Sequence, residues 1–108
     1  LVLPSLTCPN WKEQFGRVLI EAMACRIAVI GSDSGEIPNV IGEAGVVFPE
    51  GDVAALRACL VRQMADPAER RRLGILGRER VLANYTQARI AEQTYHVYRE
   101  LSTCARRP

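Results

Sequence analysis

The chain has 108 residues, of which 48% are hydrophobic and 24% charged, with a formal net charge of +2. That length suits one domain and hardly two, and the composition excludes wholesale disorder. No apolar run reaches the ~18 residues of a spanning helix, and "LVLPSLTCPNW" lacks the basic start of a secretory leader. The opening reads better as a strand entered abruptly, so a longer protein is expected around this chain.

In chain order, Val2 to Ser5 reads as the end of a buried strand, and residues 6–13 as a loop with Pro9 and Asn10. A helix is predicted from Gln14 to Cys25, with Val18, Leu19, Ala22 and Met23 as its apolar stripe. "IAVIG", residues 27–31, is a short β-branched run suited to a strand buried on both faces. Residues 32–42 form a polar loop with a helical turn, and "GVVFPEG", residues 45–51, forms another buried strand. Asp52 is placed to cap a helix over 53–65. Asp66-Pro67 closes that helix and opens the next, which runs to Asn84. Thr86 caps a last helix over 87–103, where Ile90, Tyr95, Val97, Tyr98 and Leu101 offer apolar surface for burial. Alternation in the first half predicts an α/β fold: a short parallel sheet in residues 1–51, then a helical part over 52–108. Three strands leave bare edges, which suggests half of a Rossmann-like domain whose other strands lie upstream.

Charge divides unevenly. Residues 1–56 hold three basic and seven acidic residues, a balance of −4; residues 57–108 hold eleven arginines and five acids, a balance of +6. The arginines, densest at "ERRRLG" (69–74), either solvate exposed helices or draw the chain to an anionic membrane or polyanion. They lack the interleaved aromatics of single-stranded nucleic-acid binders, so no nucleic-acid partner is expected. Cys8, Cys25, Cys59 and Cys104 have no metal-site spacing and read as structural thiols in a reducing compartment. Cys25 and Cys59 are expected to pack as small hydrophobes.

The chemistry concentrates in "KEQFGRVLIEAMAC", residues 12–25. In open α/β sheets ligands bind at the carboxyl ends of strands, where helices begin. Gly16 there permits close approach of a phosphate, and free N–H groups at a helix start favour an anion. Eight residues along one helix put Glu13 and Glu21 about 12 Å apart, a diphosphate-plus-ribose length. A carboxylate accepts two hydrogen bonds from a ribose diol. Arg17 and Glu21 equally form an i,i+4 pair of the kind that stabilises a solvent-facing stripe. His96, the one histidine, reads as a packed or surface residue. Trp11 either stacks on a sugar or shields its loop, and Asp33 is a loop acid with no visible partner.

Residues 4–42, "PSLTCPNWKEQFGRVLIEAMACRIAVIGSDSGEIPNVIG", resemble the nucleotide-sugar-binding segment of the family 4 glycosyltransferases, which have the GT-B fold. The pattern is E-x7-E, Glu13 to Glu21, with Phe15-Gly16 and Ala22-Met23-Ala24 in place. The similarity continues through "GVVFPEGD", Asp66-Pro67, "GRERV" and Tyr85-Thr86. The resemblance implies a retaining, metal-independent sugar transfer from a nucleotide-sugar donor, a UDP- or GDP-sugar, with no cofactor beside it. It implies Glu13 near the transferred sugar as the catalytic or donor-sugar residue and Glu21 on the ribose. The backbone of Phe15, Gly16 and Arg17 would face the donor sugar or diphosphate. Arg26 departs from the family, which commonly has glycine after this helix, and Asn39 stands where many relatives carry glutamate. The acceptor-binding N-terminal domain and the basic residues for the leaving diphosphate would lie upstream, so these residues alone are expected to be inactive. A cytoplasmic protein, with peripheral contact at the inner membrane face, would fit this role. The alternative is a non-catalytic α/β module that docks a partner or anionic membrane through its arginine-rich helices. A dinucleotide oxidoreductase is disfavoured, since no G-x-G-x-x-G occurs.

Overall fold

A computed structural model of the protein describes residues 1–104. Three parallel strands, β1 (Val2–Leu3), β2 (Ile30–Ser32) and β3 (Val46–Phe48), pair in that order. Helix α1 (Arg17–Ala24) joins β1 to β2, and α2 (Ile37–Ile41) joins β2 to β3. Helices α3 (Val53–Ala65), α4 (Pro67–Asn84) and α5 (Gln87–Cys104) follow. β2 is central and wholly buried, as the run of β-branched residues around it requires. The α/β order matches the alternation read from the sequence, with shorter strands at β1 and β3.

Two boundaries move for local reasons. Helix α1 starts at Arg17 rather than Gln14, because its N-cap Gly16 has φ 69° and ψ 52°. That left-handed backbone cannot continue a right-handed helix and suits glycine. Glu13 therefore lies in the loop before α1, and the helical spacing expected between Glu13 and Glu21 does not apply. β2 starts at Ile30 rather than Ile27, because residues 25–27 are spent closing α1. Arg26 N–H donates to the Met23 carbonyl and Ile27 N–H to the Ala22 carbonyl, both at 3.0 Å. This is a Schellman closure, with Arg26 at φ 60° where glycine is usual. The left-handed conformation costs arginine about 1 kcal/mol relative to glycine, and the turn forms nonetheless.

Leu19, Ala22 and Met23 of α1 join Ile37, Val40 and Ile41 of α2, Val29 and Val81 in one core. Each large aliphatic side chain there contributes roughly 1.5–3 kcal/mol by burial. Two expectations are corrected. Val18 is exposed, because it falls on the outer side of α1. Ile90, Tyr95, Val97, Tyr98 and Leu101 of α5 are all at least 40% exposed, since no element among the described residues covers that face. The caps are as predicted: Asp52 accepts the Ala55 N–H at 2.8 Å, Asp66 that of Glu69 at 2.9 Å, and Thr86 that of Arg89 at 3.2 Å.

The basic half has a structural use that its composition does not reveal. Arg70 donates to the Gln63 and Met64 carbonyls at the end of α3. Arg78 donates to Ala24 at the end of α1, and Arg80 to Asn39 and Val40 in α2. Arg89 reaches Ala83 near the end of α4. Four arginines thus meet the orphan carbonyls and negative dipole ends of four helices. Cys8 and Cys25 are exposed and Cys59 is half-buried, all three as free thiols. Cys25 is therefore not a packed hydrophobe: it caps α1 at the surface. The Cys104 side chain lies outside the described residues.

Candidate functional site

The carboxyl ends of all three strands converge on one polar cluster. The loop after β1 carries Ser5, Thr7 and Glu13, the loop after β2 carries Asp33 and Ser34, and the loop after β3 carries Glu50. Ser32 Oγ donates to the Ser5 carbonyl at 2.6 Å. Thr7 Oγ1 lies 2.9 Å from Ser34 Oγ and donates to Glu50 Oε2 at 2.8 Å, while the Thr7 N–H donates to the same oxygen at 3.1 Å. The Thr7 hydroxyl, then its amide, hold the Glu50 carboxyl below its ordinary range. The Glu50 N–H donates to Asp33 Oδ1 at 2.7 Å. Asp33 thus has a partner, contrary to its sequence reading, and it is backbone.

Glu13 joins this cluster through Ser5. Its carbonyl accepts the Glu36 N–H at 3.1 Å, which fastens the loop before α1 to the loop after β2. Its Oε1 accepts the Gly16 N–H at 3.0 Å and its Oε2 the Ser5 hydroxyl at 3.3 Å. A cleft of about 400 Å³ opens beside it, walled by Trp11, Lys12, Gln14, Gly35 and Glu36. Trp11 is half exposed there, on a tight turn closed by paired backbone bonds to Cys8.

The other predicted site residues fall around the start of α1. Gly16 is buried, and its N–H is held by Glu13 rather than free for an anion. Among the described residues, the amides of Phe15 and Arg17 donate to no protein group. The Phe15 ring turns away and packs edge-on against Tyr85, with centroids 5.8 Å apart. Arg17 Nε and Glu21 Oε1 pair at 3.1 Å, with both side chains largely in solvent. The structure thus brings Glu13, Phe15, Gly16 and Arg17 together, and it puts Glu21 on the open face of α1, where only Arg17 engages it. Sequence reasoning missed Ser5, Thr7, Ser32 and Glu50; it read Ser34-Gly35-Glu36 as either approaching the base or closing a turn, and Ser34 Oγ meets Thr7 Oγ1. The available signal was the run of small hydroxyls and acids just after each strand.

Among the described residues no three His, Cys, Asp or Glu side chains are grouped to hold a metal ion. Among them, too, no helix is long and apolar enough to cross a membrane.

The profile of the family described as "Glycosyl transferases group 1" matches residues 1–80. The chain is 41% identical over 103 residues to the alpha-maltose-1-phosphate synthase of Mycolicibacterium smegmatis, covering 88% of this chain and 27% of that protein. It is 37% identical over 94 residues to the MMP alpha-(1->4)-mannosyltransferase of Mycolicibacterium hassiacum, covering 83% and 23%. Sucrose-phosphate synthase from Thermosynechococcus elongatus superposes with a TM-score of 0.79 at 41% identity, over 95% of this chain and 25% of that one. The chain thus spans about a quarter of the length of these relatives.

Proposed function

The chain belongs to the group 1 glycosyl transferases, and from that premise we propose that residues 13–21 bind the nucleotide-sugar donor of a longer, retaining, metal-independent enzyme of family 4. The observation that carries this reading is the position of Glu13, a carboxylate in an open cleft at the carboxyl ends of the strands, just before a helix start with two free amides. The diphosphate lies against the Phe15 and Arg17 amides. Glu13 faces the transferred sugar. Glu21 leaves Arg17 and takes the ribose diol, for which a solvent-facing carboxylate is free to turn.

The donor is a UDP- or GDP-sugar with no further cofactor, and the acceptor is a glycan, a lipid or a small molecule. Acceptor binding and neutralisation of the leaving diphosphate fall to residues outside this chain, so the chain alone does not turn over. The setting is cytoplasmic, with room for peripheral contact at a membrane. Of the arginines that the alternative, docking through the arginine-rich helices, would use, Arg70, Arg78, Arg80 and Arg89 are engaged on helix ends.

The test is calorimetric titration of the full-length protein and its Glu21→Ala variant with UDP, GDP and ADP. Hydrogen bonds to a charged group contribute about 1.5–3 kcal/mol, so affinity for the preferred nucleotide is expected to fall about 10- to 100-fold. Stability is expected to change by no more than about 0.5 kcal/mol, since an exposed i,i+4 pair contributes little. Unchanged affinity in the variant would refute the assignment of Glu21.

A further inference from the structure

We infer that Ser5 is a positioning residue for Glu13, seated in turn by the buried hydroxyl of Ser32. The inference rests on the proposed role of Glu13 as the carboxylate that faces the transferred sugar. A glutamate in a loop turns about three bonds, and a carboxylate that must meet a sugar in one orientation needs both oxygens held. Here each oxygen has one protein donor: Gly16 N–H on Oε1 at 3.0 Å and the Ser5 hydroxyl on Oε2 at 3.3 Å. A carboxylate offers about four acceptor positions, so about two remain for the hydroxyls of a bound ring.

Ser5 is itself fixed. Its carbonyl accepts the Ser32 hydroxyl at 2.6 Å, and Ser32 is fully buried at the end of the central strand. A chain of hydrogen bonds therefore runs from β2 through Ser32 to the Ser5 backbone, and from the Ser5 hydroxyl to the Glu13 carboxylate, its last link a long one at 3.3 Å. Among the described residues no other group donates to Oε2. Removing the Ser5 hydroxyl frees half of the carboxylate while leaving the Gly16 anchor, the cleft walls and the Phe15 and Arg17 amides in place. The loss belongs to turnover and not to nucleotide binding.

The experiment uses the full-length protein and its Ser5→Ala, Ser5→Thr, Glu13→Gln and Ser5→Ala/Glu13→Gln variants. Release of nucleoside diphosphate is followed from UDP-glucose, GDP-mannose and ADP-glucose, and binding of UDP, GDP and ADP is measured separately. Ser5→Ala is expected to lower kcat about tenfold with nucleotide Kd unchanged within about twofold, as for a misplaced reacting group. Ser5→Thr, which keeps the hydroxyl, recovers most of the rate and guards against a folding artefact. The double variant is no slower than Glu13→Gln, because Ser5 acts only through Glu13. Additive losses, or a full rate for Ser5→Ala beside an impaired Glu13→Gln, would overturn the positioning role alone. A full rate for Glu13→Gln would overturn the reading of Glu13 and the positioning role with it.

Discussion

Replacing Gly35 with alanine is expected to destabilise the protein by about 3 kcal/mol or more and to dismantle the cleft in the same step. Gly35 has φ 56°, so an L-residue there is strained before any contact is considered. A methyl group on its Cα would overlap the carbonyl oxygen of Glu13. That oxygen is backbone and cannot step aside as a flexible side chain does. It is also the acceptor of the Glu36 N–H, so relieving the overlap breaks the bond that ties the Glu13 loop to the β2 loop. Gly51→Ala is the internal control. Its φ is 76°, but the nearest atom to an added methyl is Leu6 Cδ2 at 3.9 Å, an ordinary contact. That variant carries the backbone cost alone, about 1 kcal/mol. Urea midpoints of the two variants measure the difference, and equal midpoints would mean that the approach of Gly35 to Glu13 has no energetic weight.

Gly74→Ala is expected to cost about 2 kcal/mol or more, while Gly77→Ala stays within about 1 kcal/mol of wild type, although both lie inside α4 on its buried side. Alanine in a helix interior ordinarily gains up to about 1 kcal/mol over glycine. At Gly74 a methyl group would overlap the Arg26 carbonyl, the turn that closes α1 in left-handed geometry. Neither backbone segment yields without parting α1 from α4. At Gly77 the nearest atoms are Cγ and Cβ of Met23 at 3.1 and 3.2 Å, contacts tight by a few tenths of an ångström that a slight shift of α1 against α4 relieves. Thermal unfolding of both variants separates the cases. A mild Gly74→Ala would mean that the Arg26 turn slides freely over α4.

How legible these features were follows from how local their causes are. Asp52, Asp66 and Thr86 cap the helices that the sequence assigned them, because a cap needs only the next three residues. Arg26 stood out through the resemblance, because the family commonly carries glycine there, and its left-handed turn closes the helix that it ends. The start of α1 was less legible. Gly16 becomes left-handed in the company of Leu3 and Leu19, whose side chains would lie 3.2 and 3.0 Å from an added Cβ. One of those partners is 13 residues away, and helical periodicity alone carries on through Gln14. The polar cluster was legible only in part: Glu13 and Asp33 stood out as acids after strands, but not their partners. Thr7 meets Glu50 across 43 residues and Glu50 meets Asp33 across 17, separations that no short pattern encodes. The outer face of α5 looked like core because its periodicity is that of an amphipathic helix, and pattern does not say whether a partner lies within reach.

The charge asymmetry teaches a related lesson. Eleven arginines in the second half read either as solvation of exposed helices or as a surface for anions. Several of them end helices instead, which a count of charges cannot distinguish from a basic patch. Glu21 illustrates the opposite problem. Its pairing with Arg17 is what an unremarkable helix surface would show, and its proposed contact with a ribose leans on the resemblance of the Glu13-to-Glu21 stretch to the E-x7-E pattern.

The most direct measurement of the donor-site claim is a backbone amide map of the isotopically labelled full-length protein, titrated with UDP, GDP and ADP. The predicted result is saturable shifts concentrated at residues 13–21, strongest at Phe15, Gly16 and Arg17, with one nucleotide preferred. Saturable binding that leaves residues 13–21 unmoved and shifts other segments would contradict the assignment of the donor site to Glu13, the α1 start and Glu21.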